Sequence, residues 1–177
     1  MNRTRKTNKI ILGIDPGTRE TGYALIGRLG LMDYGVKTFT NRGTRKEMLA
    51  DAKVWLKKLV YFYEPQVLVV ETSNLIKIRR SRNLKALINS IERIARARKI
   101  KIVRFAPTTV RKIICGDGWT TKKQAAHYIA MNYFRELRRY LRPRPNRKRL
   151  SRWQEDYWKN MFDAVALALA YKEKSSK

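Results

Sequence analysis

Only 14 Asp and Glu stand against 41 Lys and Arg, so an acid that closes an apolar segment calls for a reason. Asp15 closes Ile10-Ile11-Leu12-Gly13-Ile14, and Glu71 closes Val67-Leu68-Val69-Val70. Turn-type residues follow each, Pro16-Gly17-Thr18 in one case and Thr72-Ser73-Asn74 in the other. Asp163 is a third such acid, set between Met161-Phe162 and Ala164-Val165-Ala166-Leu167. Taken singly, each acid suits a turn or a helix cap, and Asp163 suits an ion pair with Lys159. Taken jointly they suit a site. If the two strands are parallel neighbours, Asp15 and Glu71 share the carboxyl edge of the sheet, where open sheets of this kind bind ligands. Three carboxylates converging in a low-dielectric pocket repel one another. A divalent cation relieves that repulsion, and oxygen-only donors suit magnesium, with manganese as substitute. One cysteine, Cys115, and one histidine, His127, leave no basis for a zinc site or an internal disulfide.

The elements that must position these acids are readable from periodicity. Lys9 to Asp15 reads as a buried strand, Thr21 to Gly27 as a second and Leu31 to Phe39 as a third. Connections this short make the three an antiparallel meander, since a parallel return needs about a dozen residues. From Thr44 to Tyr63 apolar residues recur at three and four, and Pro65 ends that helix. The run Val67 to Val70 has the character of a central strand buried on both faces. A helix from about Arg82 to Lys99 presents Leu84, Leu87, Ile88, Ile91, Ile94 and Ala95 on one side. A short strand follows at Ile100 to Phe105, then a helical turn from Pro107. Thr120 or Thr121 caps a helix expected to run to about Leu141, and Arg142-Pro143-Arg144-Pro145 breaks the chain. A last helix covers about Gln154 to Lys172. The order βββαβαβαα implies an α/β fold with a mixed sheet.

The 177 residues fit one domain, with residues 1–8 as a basic tail and 142–151 as a basic linker before the last helix. A 44% hydrophobic share supplies a core and argues against a disordered basic tail. The formal net charge of +27 calls for a polyanionic partner, nucleic acid first. Membrane is the rival, yet the longest apolar run, Ala164 to Tyr171, is far short of the ~18–20 residues that span a bilayer. With no secretory pattern near Met1, an intracellular location is expected, in cytoplasm and nucleoid or in a viral factory.

At this point a family resemblance emerges. Ile14-Asp15-Pro16-Gly17-Thr18-Arg19-Glu20-Thr21-Gly22-Tyr23-Ala24 resembles the first motif of the RuvC-type Holliday-junction resolvases. Val69-Val70-Glu71 resembles their second, and Asp163-Ala164-Val165-Ala166-Leu167-Ala168 their last. Between them, Ala106-Pro107-Thr108-Thr109-Val110-Arg111, and Gly116-Asp117-Gly118 followed by Lys122, resemble the family's basic segment. The actin-like sugar kinases share an Asp-x-Gly-Thr loop, but they need two such domains. The resemblance implies an RNase H-like five-stranded sheet in the order 3-2-1-4-5, with strand 2 antiparallel and helices on its flanks.

The resemblance also implies a crossover junction endodeoxyribonuclease with two metal ions per site, about 3.5–4 Å apart. Such an enzyme hydrolyses a phosphodiester to a 5′-phosphate and a 3′-hydroxyl. Asp15, Glu71 and Asp163 fall on three of the family's catalytic acids. The fourth, an Asp or His three residues before the last acid, is here Asn160. Its amide oxygen is one candidate ligand, and Asp156, one turn further back, is the other. A third reading is that position 160 carries an inactivating change. Arg111 and Lys122 fall where the family carries basic residues near the scissile phosphate, for charge stabilisation and phosphate gripping, and Lys112 and Lys123 beside them are further DNA-binding candidates. Lys77, Arg79, Arg80 and Arg82 fall on the connection that enters the junction. Leu75 and Ile76 lie near the family's aromatic wedge position and offer only apolar side chains. Paired cuts in a two-fold junction imply a homodimer, for which the Leu84–Ala95 stripe is the candidate face. The alternatives are a flap or RNA–DNA hybrid nuclease of the same fold, or a non-catalytic nucleic-acid-binding protein.

Overall fold

The computed structural model describes residues 9–39, 44–71, 81–141 and 152–176, apart from the side chains at positions 45 and 152–157. The expected tail at 1–8, the expected linker at 142–151 and the junction-contact candidates Leu75, Ile76, Lys77, Arg79 and Arg80 lie outside the described residues.

Three strands open the chain: β1 (Ile11–Asp15), β2 (Glu20–Ile26) and β3 (Leu31–Thr38). They form the expected antiparallel meander. Helix α1 (Arg45–Tyr63) starts at a reciprocal cap, in which the Thr44 hydroxyl accepts from the Glu47 amide while the Glu47 carboxylate accepts from the Thr44 amide. It stops at Glu64, which takes a left-handed φ of 45° just before Pro65. Strand β4 (Val67–Glu71) returns parallel to β1, and β5 (Lys101–Phe105) parallel to β4. Between these two strands lies α2 (Arg82–Ala97). The sheet order is 3-2-1-4-5 with β2 antiparallel to β1, as the resemblance implies.

Alternation along the strands splits the interior into two layers. Leu12, Ile14, Leu68 and Val70 face α1 and α2. Ile11, Val67, Val69 and Phe105 face the other side. There they meet α3 (Pro107–Cys115), α4 (Lys122–Asn132), a 3-10 turn (Arg135–Tyr140) and α5 (Arg152–Ser175). Glu92, a buried acid, is held by Arg96 at 3.0 Å and by Arg104, which ties α2 to β5.

One expectation is corrected. The helix predicted from Thr121 to about Leu141 ends at Asn132, and the 3-10 turn follows after Tyr133 and Phe134. Neither glycine nor proline breaks it. Phe134 and Leu137 are both buried in the α5-side core, and Phe134 leaves helical geometry at φ −130° and ψ 88°. Arg138 then donates to the freed carbonyls of Ala130 and Met131. Tertiary burial of two side chains outweighs about two and a half turns of continued helix.

Candidate active site

The parallel register of β1 and β4 runs Ile11 with Val67 through Ile14 with Val70. The next residue on each strand is the acid, so Asp15 and Glu71 stand beside each other at the carboxyl edge. Asp15 shares the face of Ile11 and Gly13, and Glu71 that of Val67 and Val69, so both point toward α5.

Two glycines let α5 come down onto that face. A Cβ on Gly13 would lie 2.2 Å from the Ala164 carbonyl oxygen, and one on Gly22 only 1.9 Å from the Asn160 carbonyl oxygen. Gly22 is the β2 partner of Asp15. The helix therefore crosses the sheet at backbone contact on either side of Asp15. Asp163 lies on the helix between those two contacts, one turn beyond Asn160. These glycines carry no chemistry of their own, and their spacing before and after Asp15 is the one signal of the crossing in the sequence.

Lys122 enters from a fourth element. It is the first residue of α4, placed by a reciprocal cap between Thr121 and Gln124. Its Nζ donates to Asp163 Oδ2 and forms an ion pair with it. The Asp163 side chain is 19% exposed and that of Lys122 43%. Burial works against the ammonium, but Asp163 first, then Asp15 and Glu71, outweigh it and hold its pKa above the usual lysine value. All three acids thus act on one ammonium. Among the described residues no three acidic, histidine or cysteine side chains stand close enough to hold an ion as they are placed. What the three carboxylates share is the charge of Lys122.

The donor set nevertheless fits hard divalent cations. Three carboxylates and the Asn160 amide offer oxygen only, on two strand ends and one helix. Asp156 also belongs to α5, but its side chain lies outside the described residues. Of the basic candidates, Arg111 donates through Nε to the Gly118 carbonyl at 3.0 Å, which fixes the loop ahead of Lys122. Lys112, Lys123 and Arg82 are exposed. Arg82 opens α2, next to its cap Ser81. No described helix is long and apolar enough to cross a membrane.

The family model for crossover junction endodeoxyribonuclease RuvC matches residues 11–143. The chain belongs to this family. A RuvC of Treponema pallidum is 30% identical over 128 residues, spanning 70% of this chain and 65% of its own length. A RuvC of Prochlorococcus marinus is 30% identical over 172 residues, spanning 90% of this chain and 96% of its own. The structure of Thermus thermophilus RuvC in complex with Holliday junction substrate superposes with a TM-score of 0.71 at 16% identity, covering 95% of both chains. That likeness carries the fold, which is RNase H-like. The RuvC family match ends ahead of α5. What sets Asn160 and Asp163 beside the strand-end acids is the glycine crossing.

Proposed function

We propose that this chain is a structure-selective DNA endonuclease that resolves four-way junctions. The observation that carries the reading is the convergence of Asp15, Glu71 and Asp163 on Lys122 at the carboxyl edge of a RuvC-family sheet. Divalent ions, magnesium or manganese and two per site, would be held by Asp15, Glu71, Asp163 and Asn160 or Asp156. When bound, they supply Lewis-acid charge and a more acidic water.

The remaining work falls to the chain. In the hydrolysis, a water oxygen bonds to phosphorus, the P–O3′ bond breaks, and the water's protons end on the 3′ oxygen and in solvent. Lys122 leaves Asp163 and turns its ammonium to the charge that builds on the phosphate. Arg82, Lys112 and Lys123, with Lys77, Arg79 and Arg80, grip flanking phosphates without reading sequence. Arg111 holds the Gly116–Gly118 loop against α3, so that Lys122 starts its helix in the right place. Leu75 and Ile76 are apolar candidates for opening the branch point.

Paired nicks require two sites, which a two-fold homodimer supplies. Support comes from α2, where Leu87, Ile91 and Ala95 are buried in the protomer but Leu84 and Ile88 remain half-exposed. Sedimentation at micromolar concentration tests this, with a monomer under all conditions counting against it.

The decisive assay offers a four-way junction, a flap, an RNA–DNA hybrid and a linear duplex with magnesium, manganese or chelator. Metal-dependent paired nicking of the junction alone is the expected result. Equal cutting of junction and duplex sinks the resolvase reading, and preference for hybrid or flap moves the chain to another nuclease of this fold. Asn160 in place of an acid favours one further reading, a binding protein with a degraded site. Wild-type protein that binds the junction but never cuts it, with either metal, would establish that reading instead.

A further inference from the structure

Trp119 is 88% exposed and lies three residues before Lys122. Its indole does not hang from a slack loop. Gly116 turns the chain at φ 81°, a conformation that side chains resist. The Trp119 amide donates to Asp117 Oδ1 at 2.9 Å, and the Thr120 hydroxyl donates to the Asp117 carbonyl at 2.9 Å. Arg111 grips the Gly118 carbonyl, and a Cβ on Gly118 would already stand 3.0 Å from the Thr108 carbonyl oxygen. The cap at Thr121 then delivers the chain into α4. A pinned loop therefore holds a large flat ring in solvent beside the candidate active site. By contrast, Trp55 packs on Tyr23 and Phe39, and Trp158 on Tyr140.

The surroundings of the indole say what it is for. Asp117, Thr120 and Lys123 lie around it in sequence, and Lys112 is exposed on the preceding helix. The neighbours in sequence supply no apolar rim of the kind that an apolar protein partner would want. A lone aromatic face in a polar, cationic setting fits a nucleobase carried on a phosphate chain. We propose that Trp119 is a stacking platform for a base that has left its own stack, and that it positions the strand so that the next phosphate meets Lys122 and the three acids. The proposal rests on the DNA-cleaving reading above and deepens it. Trp119 is a positioning residue, since it does not touch the reacting atoms. The platform also gives the chain an aromatic contact with DNA, where the connection after Glu71 offers only Leu75 and Ile76.

The test compares wild type with Trp119→Phe and Trp119→Ala, each first shown to fold by its thermal unfolding. Adding a four-way junction or a single-stranded oligonucleotide in chelator is expected to quench tryptophan emission of the wild type. Trp119→Phe should lose most of that quenching. In cutting, Trp119→Phe should stay within about threefold of wild type, while Trp119→Ala at saturating junction should slow about tenfold and scatter its nicks over neighbouring positions. Quenching that persists unchanged in Trp119→Phe overturns the proposal, as does Trp119→Ala cutting at the wild-type rate and position. A blue shift that grows with protein concentration without DNA, and vanishes in Trp119→Phe, would assign the indole to a second copy of the chain instead. If wild type cuts none of the DNAs, the nuclease reading falls, and the quenching comparison still decides the stacking.

Discussion

Lys122 occupies the first position of α4, the end of a helix where the backbone dipole disfavours a cation. Its ion pair with Asp163, and the nearby charges of Asp15 and Glu71, offset that cost. A lysine placed against the dipole is explained by the pocket, not by the helix. Replacing it, Lys122→Ala, should slow junction cutting by about 10²–10³-fold with little change in junction affinity, read in single-turnover kinetics. Asp15→Asn should bring cutting below detection and leave gel-shift binding intact. Asn160→Asp supplies a carboxylate where the resemblance implies an Asp or His, and should lower the magnesium needed for half-maximal cutting by about tenfold. A flat response to Asn160→Asp would move the fourth ligand to Asp156. Away from the site, Tyr63 donates to Asp33 Oδ2 at 2.7 Å, and burial first, then that bond and the Asp33 charge, push its pKa up to about 12. The folded state favours the protonated phenol. That contribution is therefore complete below the ordinary value of 10.0 and is lost as pH rises toward about 12. Alkaline absorbance titration should show a late tyrosine component that shrinks in Tyr63→Phe.

The elements were legible where burial and periodicity agree. Val67 to Val70 reads as a doubly buried strand because it is one, and the acids at 15 and 71 stand out because nothing else polar ends those strands. The stretch from Lys122 to Tyr140 departs from the expected single helix for a physical reason. Phe134 and Leu137 keep a spacing of three, which an α-helix and a 3-10 turn satisfy alike, and only packing against α5 chooses between them. Lys122 reached the candidate list through family resemblance, since no local pattern tells one lysine among so many from another. Trp119 and the two crossing glycines were passed over, because their roles exist only once α3, α4 and α5 are assembled on the sheet. The crossing makes its own prediction. Gly22→Ala pushes a Cβ into the Asn160 carbonyl oxygen, so α5 must lift. We expect a loss of about 1–3 kcal/mol in urea unfolding. Cutting measured well below the melting temperature should fall further than that loss explains, because Asp163 moves with the helix.

At the scale of the whole molecule, a net charge of +27 makes affinity for any DNA strong and strongly dependent on salt. Binding to junction and to duplex should weaken with steep, similar slopes as salt rises, while cutting stays confined to the junction. On the proposed reading, selectivity then resides in branch geometry and in the separation of two active sites, not in the charge that holds the DNA. The ammonium of Lys122 among the three acids has a consequence for the protein's life before it meets DNA. With an internal counter-ion already in place, the acidic pocket needs no metal to be tolerable, and chelation should leave the melting temperature almost unchanged. On the proposed reading, assembly and catalysis are thereby uncoupled: the chain would fold and bind DNA in a metal-poor setting, and divalent ions would add their chemistry to a pocket that is already built.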